Sequence, residues 1–189
     1  MSELIGFIGG PGSGKTILAC ALKEFFMLNK ISTDVCTEYA REFIFKYGFP
    51  EHQSDQYRLG IKQKEREDLL CKGTNKYIFS DSPIWLTYIY CMLITSSNDK
   101  YQNQSVLSEI YDEFVIKQIN RYKTVFYVSN ENPYNDGCKR DIESENKIRR
   151  MFDGFINIHL DLLPIVKIPY TVEQTLERKQ FVFNTLEGK

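Results

Sequence analysis

The stretch Gly9-Gly10-Pro11-Gly12-Ser13-Gly14-Lys15-Thr16 constrains this chain more than any other, because it satisfies G-x-x-x-x-G-K-[ST] at every specified position. A loop of this composition is suited to phosphate. Its consecutive backbone N–H groups can wrap an anion, with the positive end of a following helix dipole behind them. That arrangement needs a strand in front and a helix behind, and the flanks supply both. Leu4-Ile5-Gly6-Phe7-Ile8 reads as a buried strand, and Ile17 to Leu28 reads as a helix with Leu18, Ala21, Leu22 and Phe25 on one face. Gly10, Gly12, Ser13, Gly14, Lys15 and Thr16 are therefore the candidate nucleotide-binding residues. Lys15 is expected to reach the β- and γ-phosphates of ATP, and the Thr16 hydroxyl to ligate Mg²⁺.

Bulk properties narrow the class. A chain of 189 residues with 42% hydrophobic content suits one α/β domain, so residues 1–189 are expected to form a single unit. Lys and Arg total 24 against 25 Asp and Glu, so no global basic field announces nucleic acid or a membrane surface, although a local patch stays open. The five cysteines, Cys20, Cys36, Cys71, Cys91 and Cys138, are odd in number and lack C-x-x-C spacing. They suggest neither disulfides nor zinc, and point to a reducing, cytoplasmic compartment. The first strand begins almost at the N-terminus, which leaves no room for a signal peptide. The longest apolar run, Ile84 to Ile94, is about half the ~20 residues a membrane span needs, so a buried helix is the better account.

Along the chain, strands alternate with helices. Ser32 to Cys36 suits a second strand and runs into Thr37-Glu38-Tyr39-Ala40-Arg41-Glu42; Tyr39 to Tyr47 reads as a helix stopped by Gly48-Phe49-Pro50. Ser54 can cap a helix from about Asp55 to Lys72, whose charge run, Lys62 to Asp68, reads as a solvated face. Tyr77-Ile78-Phe79 forms a third strand that ends in Ser80-Asp81-Ser82-Pro83. Ser82 as N-cap and Pro83 at the first helical position then open an apolar helix containing Trp85. Thr95 to Asn103 reads as a loop, and Ser105 starts a further helix. Thr124 to Val128 is a fourth strand, Asn130 to Asp141 a polar loop, and Glu143 to about Asp161 a helix that carries His159 on its apolar stripe as a packed core residue. Pro164 to Ile168 is a fifth strand and Thr171 to Leu186 a closing helix. Short continuous apolar strands between helices imply an α/β fold with a mainly parallel sheet covered on both faces, whose ligands gather beyond the strands' carboxyl ends.

Those ends bring chemistry together. Asp81, after the third strand, is placed to hold Mg²⁺ or its water shell as the complement of Thr16; a helix cap or a salt-bridged carboxylate is the competing role. Glu38 can serve as general base for an acceptor hydroxyl, or can only pair with Arg41 to hold the loop. Arg41 can clamp a substrate phosphate or the transferring group. The 130–142 segment has the character of a lid: Asn135-Asp136-Gly137 turns, and Lys139 and Arg140 are cations able to cover the triphosphate. The catalytic candidates are thus Lys15, Glu38, Arg41, Asp81, Lys139 and Arg140.

The P-loop, the Glu38-Tyr39-Ala40-Arg41-Glu42 segment, the Ile78-Phe79-Ser80-Asp81 strand end and Asn135-Asp136-Gly137, in this order, resemble the P-loop kinase domain of bacterial ribosylnicotinamide kinases and their AAA-type ATPase/kinase relatives, many of them in phages. The resemblance implies a P-loop NTPase three-layer sandwich with a five-stranded sheet of order 2-3-1-4-5, ATP with Mg²⁺, and transfer to a nucleoside hydroxyl. By analogy with deoxynucleoside kinases, which place an acid after the second strand, it supports Glu38 as base. The lid of such enzymes often reads D-G-x-R, whereas here Lys139 takes that position and Arg140 follows it.

The leading reading is an ATP- and Mg²⁺-dependent kinase acting on a small nucleoside or nucleotide. Two others stay open. One is a nucleotide-dependent switch with slow hydrolysis, in which Glu38 and Arg41 would have no acceptor to serve. The other is a kinase for a hydroxymethylated base in phage DNA, for which Lys139, Arg140, Lys147, Arg149 and Arg150 would form the local basic patch. Gln63 and Trp85 are candidates for acceptor specificity.

Overall fold

The computed structural model describes residues 2–97, 104–128, 142–159, 161–169 and 175–188. In chain order these form β1 (Glu3–Ile8), α1 (Lys15–Leu28), β2 (Thr33–Cys36), α2 (Tyr39–Tyr47), α3 (Gln53–Cys71), β3 (Tyr77–Ser80), α4 (Leu86–Ser97) and α5 (Gln104–Tyr111). There follow β4 (Thr124–Tyr127), α6 (Ile142–His159), β5 (Ile165–Lys167) and α7 (Thr175–Glu187). The expected lid, with Asn135-Asp136-Gly137, Lys139 and Arg140, lies outside the described residues, as do most of the expected Thr95 to Asn103 loop and the start of the closing helix.

The strands form one five-stranded sheet of order β2-β3-β1-β4-β5. Every pairing is parallel, with Ile5 opposite Phe79 on one side of β1 and opposite Thr124 on the other. Side-chain alternation along β1 splits the core in two, as a period of 2 demands. Leu4 and Ile8 join a cluster with Ile78, Val125, Trp85, Phe114 and Phe152, whereas Ile5 and Phe7 join Leu22, Phe26, Phe79, Phe126 and Phe183. The second cluster is largely aromatic. Phe26 meets Tyr77, Phe79 and Phe183 edge-on at 5.6, 5.3 and 5.0 Å, a geometry worth ~0.5–1.5 kcal/mol per pair beyond area burial. Both faces of the sheet are therefore covered, which is the reason its strands are apolar throughout. None of the described helices is long and apolar enough to cross a membrane.

Several local expectations change. Helix α3 begins at Gln53, with His52 as N-cap, and the Asp55 carboxylate accepts the His52 N–H at 3.2 Å, so Ser54 is not the cap. Nor is α3 solvated all round: Gln53, Gln56, Leu59, Gly60, Gln63 and Glu67 form a buried stripe. Gly60 is needed there, because a Cβ at that position would lie 2.7 Å from the Phe114 ring. Ser82 and Pro83 do not open α4. Leu86, Thr87 and Tyr88 instead donate to Pro83, Ile84 and Trp85, tight turns that delay the helix to Leu86 and leave Trp85 before it. Past Tyr111 the backbone widens into a π-helical turn, Asp112–Ile116, which presents Phe114 and Val115 to the core. Helix α6 ends at His159, two residues early. His159 is buried as expected: its Nδ1–H donates to the Phe155 carbonyl at 2.8 Å, and its Nε2 accepts from the Tyr111 hydroxyl at 3.0 Å.

Candidate active site

The site begins where β1 stops. Gly9 packs so closely on β4 that a Cβ would lie 2.3 Å from the Val128 carbonyl oxygen, which only glycine permits. Gly14 takes a left-handed φ of 83° as the N-cap of α1 and offers no side-chain cap, so the first-turn N–H groups of α1 face the loop. Lys15 curls back over this loop: Nζ donates to the carbonyls of Gly9 and Gly10 at 2.8 and 2.9 Å, and lies 3.4 Å from Ser13 Oγ. A cation already centred on the loop is placed to move onto a polyphosphate.

Beside the loop, the Thr16 hydroxyl donates to Asp81 Oδ2 at 2.7 Å and accepts from Arg41 Nη2 at 3.2 Å. Arg41 Nε in turn donates to Glu38 Oε2 at 3.0 Å. Thr16, Glu38, Arg41 and Asp81, drawn from the ends of β1, β2 and β3, thus form one connected chain at the carboxyl edge of the sheet. The Glu38–Arg41 ion pair, one of the two roles open for these residues, is present. Arg41 is well exposed, and an ion pair of that kind contributes little to stability.

Asp81 differs from Glu38. It is 3% exposed, its amide donates to the Cys36 carbonyl at 3.0 Å, and its second carboxylate oxygen, Oδ1, has no partner among the described residues. Burial pushes its carboxyl above the ordinary value and the Glu38 charge adds to this, against the Thr16 hydroxyl and the cations Lys15 and Arg41. An unpartnered buried carboxylate oxygen beside a threonine hydroxyl fits a divalent cation. The described residues contain no cluster of three or more His, Cys, Asp or Glu that could hold a metal. Burial pushes the Cys36 thiol up to about 12 and the Cys91 thiol up to about 11, which disfavours their thiolate forms.

Gln63 and Trp85 are buried; Gln63 is hydrogen-bonded, whereas the Trp85 Nε1–H has no partner among the described residues. The Gln63 side chain accepts the Tyr39 amide at 2.9 Å and donates to Cys36 Sγ, so it fixes the start of α2, and Trp85 packs edge-on against Tyr122 at 5.0 Å. Open space among the described residues is found between α2 and α3. A groove of about 820 Å³ runs between α2 and α3, starting at Tyr39, the residue after Glu38, and lined by Phe43, Tyr47, Phe49, Arg58 and Lys62 among others. A further cation escaped sequence reasoning: Arg178 of α7 donates to the Ser13 carbonyl at 3.4 Å from 165 residues away, and no local pattern marks it.

A family model described as an AAA domain matches residues 4–175. No curated protein matches this chain. Among solved structures, NadR protein in complex with NAD and AMP-PNP is similar with a TM-score of 0.72 and 16% identity, over 100% of this chain and 50% of that one, so this chain spans half the length of NadR. Deoxyadenosine kinase from M. mycoides with bound dATP has a TM-score of 0.69 and 11% identity, over 98% of this chain and 99% of that one. The same enzyme with the products dCMP and a flexible dCDP gives 0.62 and 12% over the same shares. At these identities the likeness shows the fold.

Proposed function

The chain belongs to the AAA domain family, and from that premise we propose that it is an ATP- and Mg²⁺-dependent phosphotransferase acting on a hydroxyl or phosphate of a nucleoside- or nucleotide-type acceptor. The observation that carries the proposal is the connected chain Glu38–Arg41–Thr16–Asp81 at the mouth of the P-loop. Nucleotide binding alone accounts for Thr16 and Asp81. It assigns Glu38, a second carboxylate at the same edge, no task beyond its ion pair with Arg41.

Phosphoryl transfer asks the protein mainly to hold the γ-phosphate, neutralise its charge and align the acceptor. Backbone N–H groups of Gly12 to Thr16 cradle the phosphates, and Lys15 Nζ exchanges its carbonyl contacts for phosphate oxygens. Thr16 Oγ1 and Asp81 would hold Mg²⁺, which when bound neutralises charge across the phosphates. The acceptor lies along the α2–α3 groove with its oxygen toward Glu38, whose carboxylate takes the hydroxyl proton as the new P–O bond forms and the bond from the γ-phosphorus to the β–γ bridging oxygen breaks, with ADP leaving. Arg41 pivots from Thr16 toward the transferring group, where its planar fork suits phosphate. The 130–142 segment acts as a lid of the same single domain, with Lys139 and Arg140 as its cations. The ligands named for the structural neighbours, AMP-PNP with NadR and dATP with the M. mycoides enzyme, are of the donor or acceptor class proposed here.

The test is transfer of labelled γ-phosphate from Mg²⁺-ATP to a panel of nucleosides and nucleotides. Transfer should occur to at least one member and vanish in Lys15→Ala. Glu38→Gln should retain ATP affinity while kcat falls ~10²- to 10⁴-fold, the usual contribution of a positioned general base. A protein that binds Mg²⁺-ATP tightly yet phosphorylates no member, or a Glu38→Gln variant of undiminished kcat, would refute the proposal.

A further inference from the structure

One buried charge has no part in the chemistry above. Glu67 on α3 has no exposed surface, and its carboxylate accepts from Ser80 Oγ at 2.6 Å, from Arg121 Nε at 2.8 Å, and from the Tyr122 hydroxyl, 2.9 and 3.0 Å from its two oxygens. Burial raises its carboxyl above the ordinary range against the pull of Arg121, Ser80 and Tyr122. A buried ion pair is seldom favoured for stability alone, since well-packed apolar groups do as well.

The partners of this carboxylate bracket one short segment. Ser80 immediately precedes Asp81. Tyr122, on the other side, accepts the Ile84 amide at 2.8 Å through the same oxygen that donates to Glu67. Glu67 therefore reaches both flanks of the 80–84 turn that carries Asp81, directly through Ser80 and by relay through Tyr122. The Asp81 carboxylate itself accepts from the Thr16 hydroxyl, and its Oδ1 has no partner among the described residues. Its position is thus inherited from the backbone on either side. That position matters for Mg²⁺, which demands near-octahedral geometry at short distances, and groups that orient a metal ligand typically change affinity ~10–100-fold when removed.

We propose that Glu67 is a positioning residue for the metal ligand Asp81, acting through Ser80 on one side and through Tyr122 and the Ile84 amide on the other. The proposal rests on the reading of Thr16 and Asp81 as Mg²⁺ ligands. Glu67 touches neither nucleotide nor metal, and the Glu67–Arg121 pair ties α3 and the approach to β4 to the metal-binding turn.

Tyr122→Phe and Ser80→Ala test it in the full chain, with Asp81→Asn as reference. Mn²⁺ affinity in the presence of AMP-PNP is read from the electron paramagnetic resonance of free Mn²⁺, AMP-PNP affinity is read in EDTA, and hydrogen exchange at the Ile84 amide is read in metal-free protein. Tyr122→Phe should accelerate Ile84 exchange and weaken Mn²⁺ about 10-fold or more, with AMP-PNP affinity in EDTA unchanged. Ser80→Ala, which removes a single small donor, should weaken Mn²⁺ in the same direction and stands in if Tyr122→Phe does not fold. Reduced thermal stability with wild-type Mn²⁺ affinity in both variants, while Asp81→Asn loses it, overturns the positioning role alone. Wild-type Mn²⁺ affinity in Asp81→Asn overturns the metal-ligand reading and this proposal with it. Equal losses with and without metal indicate a distorted P-loop and overturn the proposal as well.

Discussion

Replacing Asp81 by Asn should stabilise the metal-free protein while removing its response to Mg²⁺. The carboxylate is 3% exposed, has the Thr16 hydroxyl as its side-chain donor, and leaves Oδ1 unpartnered. An unsatisfied buried polar atom costs ~1–3 kcal/mol, and Asn removes the charge but brings amide hydrogens of its own, so a net gain of about 1 kcal/mol is expected. For a chain of this length that is a rise in Tm of roughly 2–4 °C in EDTA. The pH dependence follows from the direction of the shift. Because the folded-state value of Asp81 lies above the ordinary 3.8, folding is penalised where the group is ionised in both states, and the penalty is relieved as pH falls through the raised value. The advantage of Asn should therefore be full above the raised folded-state value and vanish below 3.8. Mg²⁺-ATP at ~100 times its Kd should contribute ~2.7 kcal/mol to the wild type. In the variant, Mg²⁺ should add nothing to ATP alone. Thermal melts in EDTA, ATP and Mg²⁺-ATP at neutral and acidic pH decide the matter. A lower Tm for Asp81→Asn in EDTA, or a full Mg²⁺-ATP response, would refute the reasoning.

Two further substitutions probe the backbone that carries the site. Gly9→Ala forces a Cβ to 2.3 Å from a backbone carbonyl of Val128 that cannot rotate away, so ATP affinity measured by calorimetry should be lost together with some stability. Gly60→Ala meets the Phe114 ring at 2.7 Å and should cost ~1–3 kcal/mol by denaturant titration, with partial recovery when Phe114→Leu is added. Unchanged stability in the single variant would show that α3 and the π-helical turn can separate freely.

Helix α3 shows best why reading the chain falls short. Its charge run from Lys62 to Asp68 has the composition of a solvated face, and Lys62 with Glu65 does form an exposed pair. Yet Gln53, Gln56, Gln63 and Glu67 recur at helical spacing on the side that is buried. Composition predicts the average face and misses a stripe whose polar atoms are satisfied from elsewhere in the chain: Thr95 for Gln53, the Tyr39 amide for Gln63, Arg121 for Glu67. The delayed start of α4 has a similar origin. Ser82 and Pro83 carry a sound local capping signal, but Pro83 packs where a Cβ on Gly6 would sit and the Ile84 amide is held by Tyr122, so the segment remains a turn.

The phosphate loop, the alternation of strands and helices, and therefore the residues that follow the strand ends, Thr16, Glu38, Arg41 and Asp81, are legible along the chain. Such features are local, since hydrophobic period, glycine placement and the order of residues along the chain survive in any conformation. The sheet order came from the family resemblance, because periodicity marks strands without saying which neighbours pair. Folding of distant segments onto one another brings the Thr16 hydroxyl to Asp81 across 65 residues, leaves one oxygen of Asp81 without a donor among the described residues, and carries Arg178 from the last helix to the P-loop. Hydrogen-bond partners of buried polar groups are chosen by packing among distant segments, and that choice is absent from any local stretch of sequence.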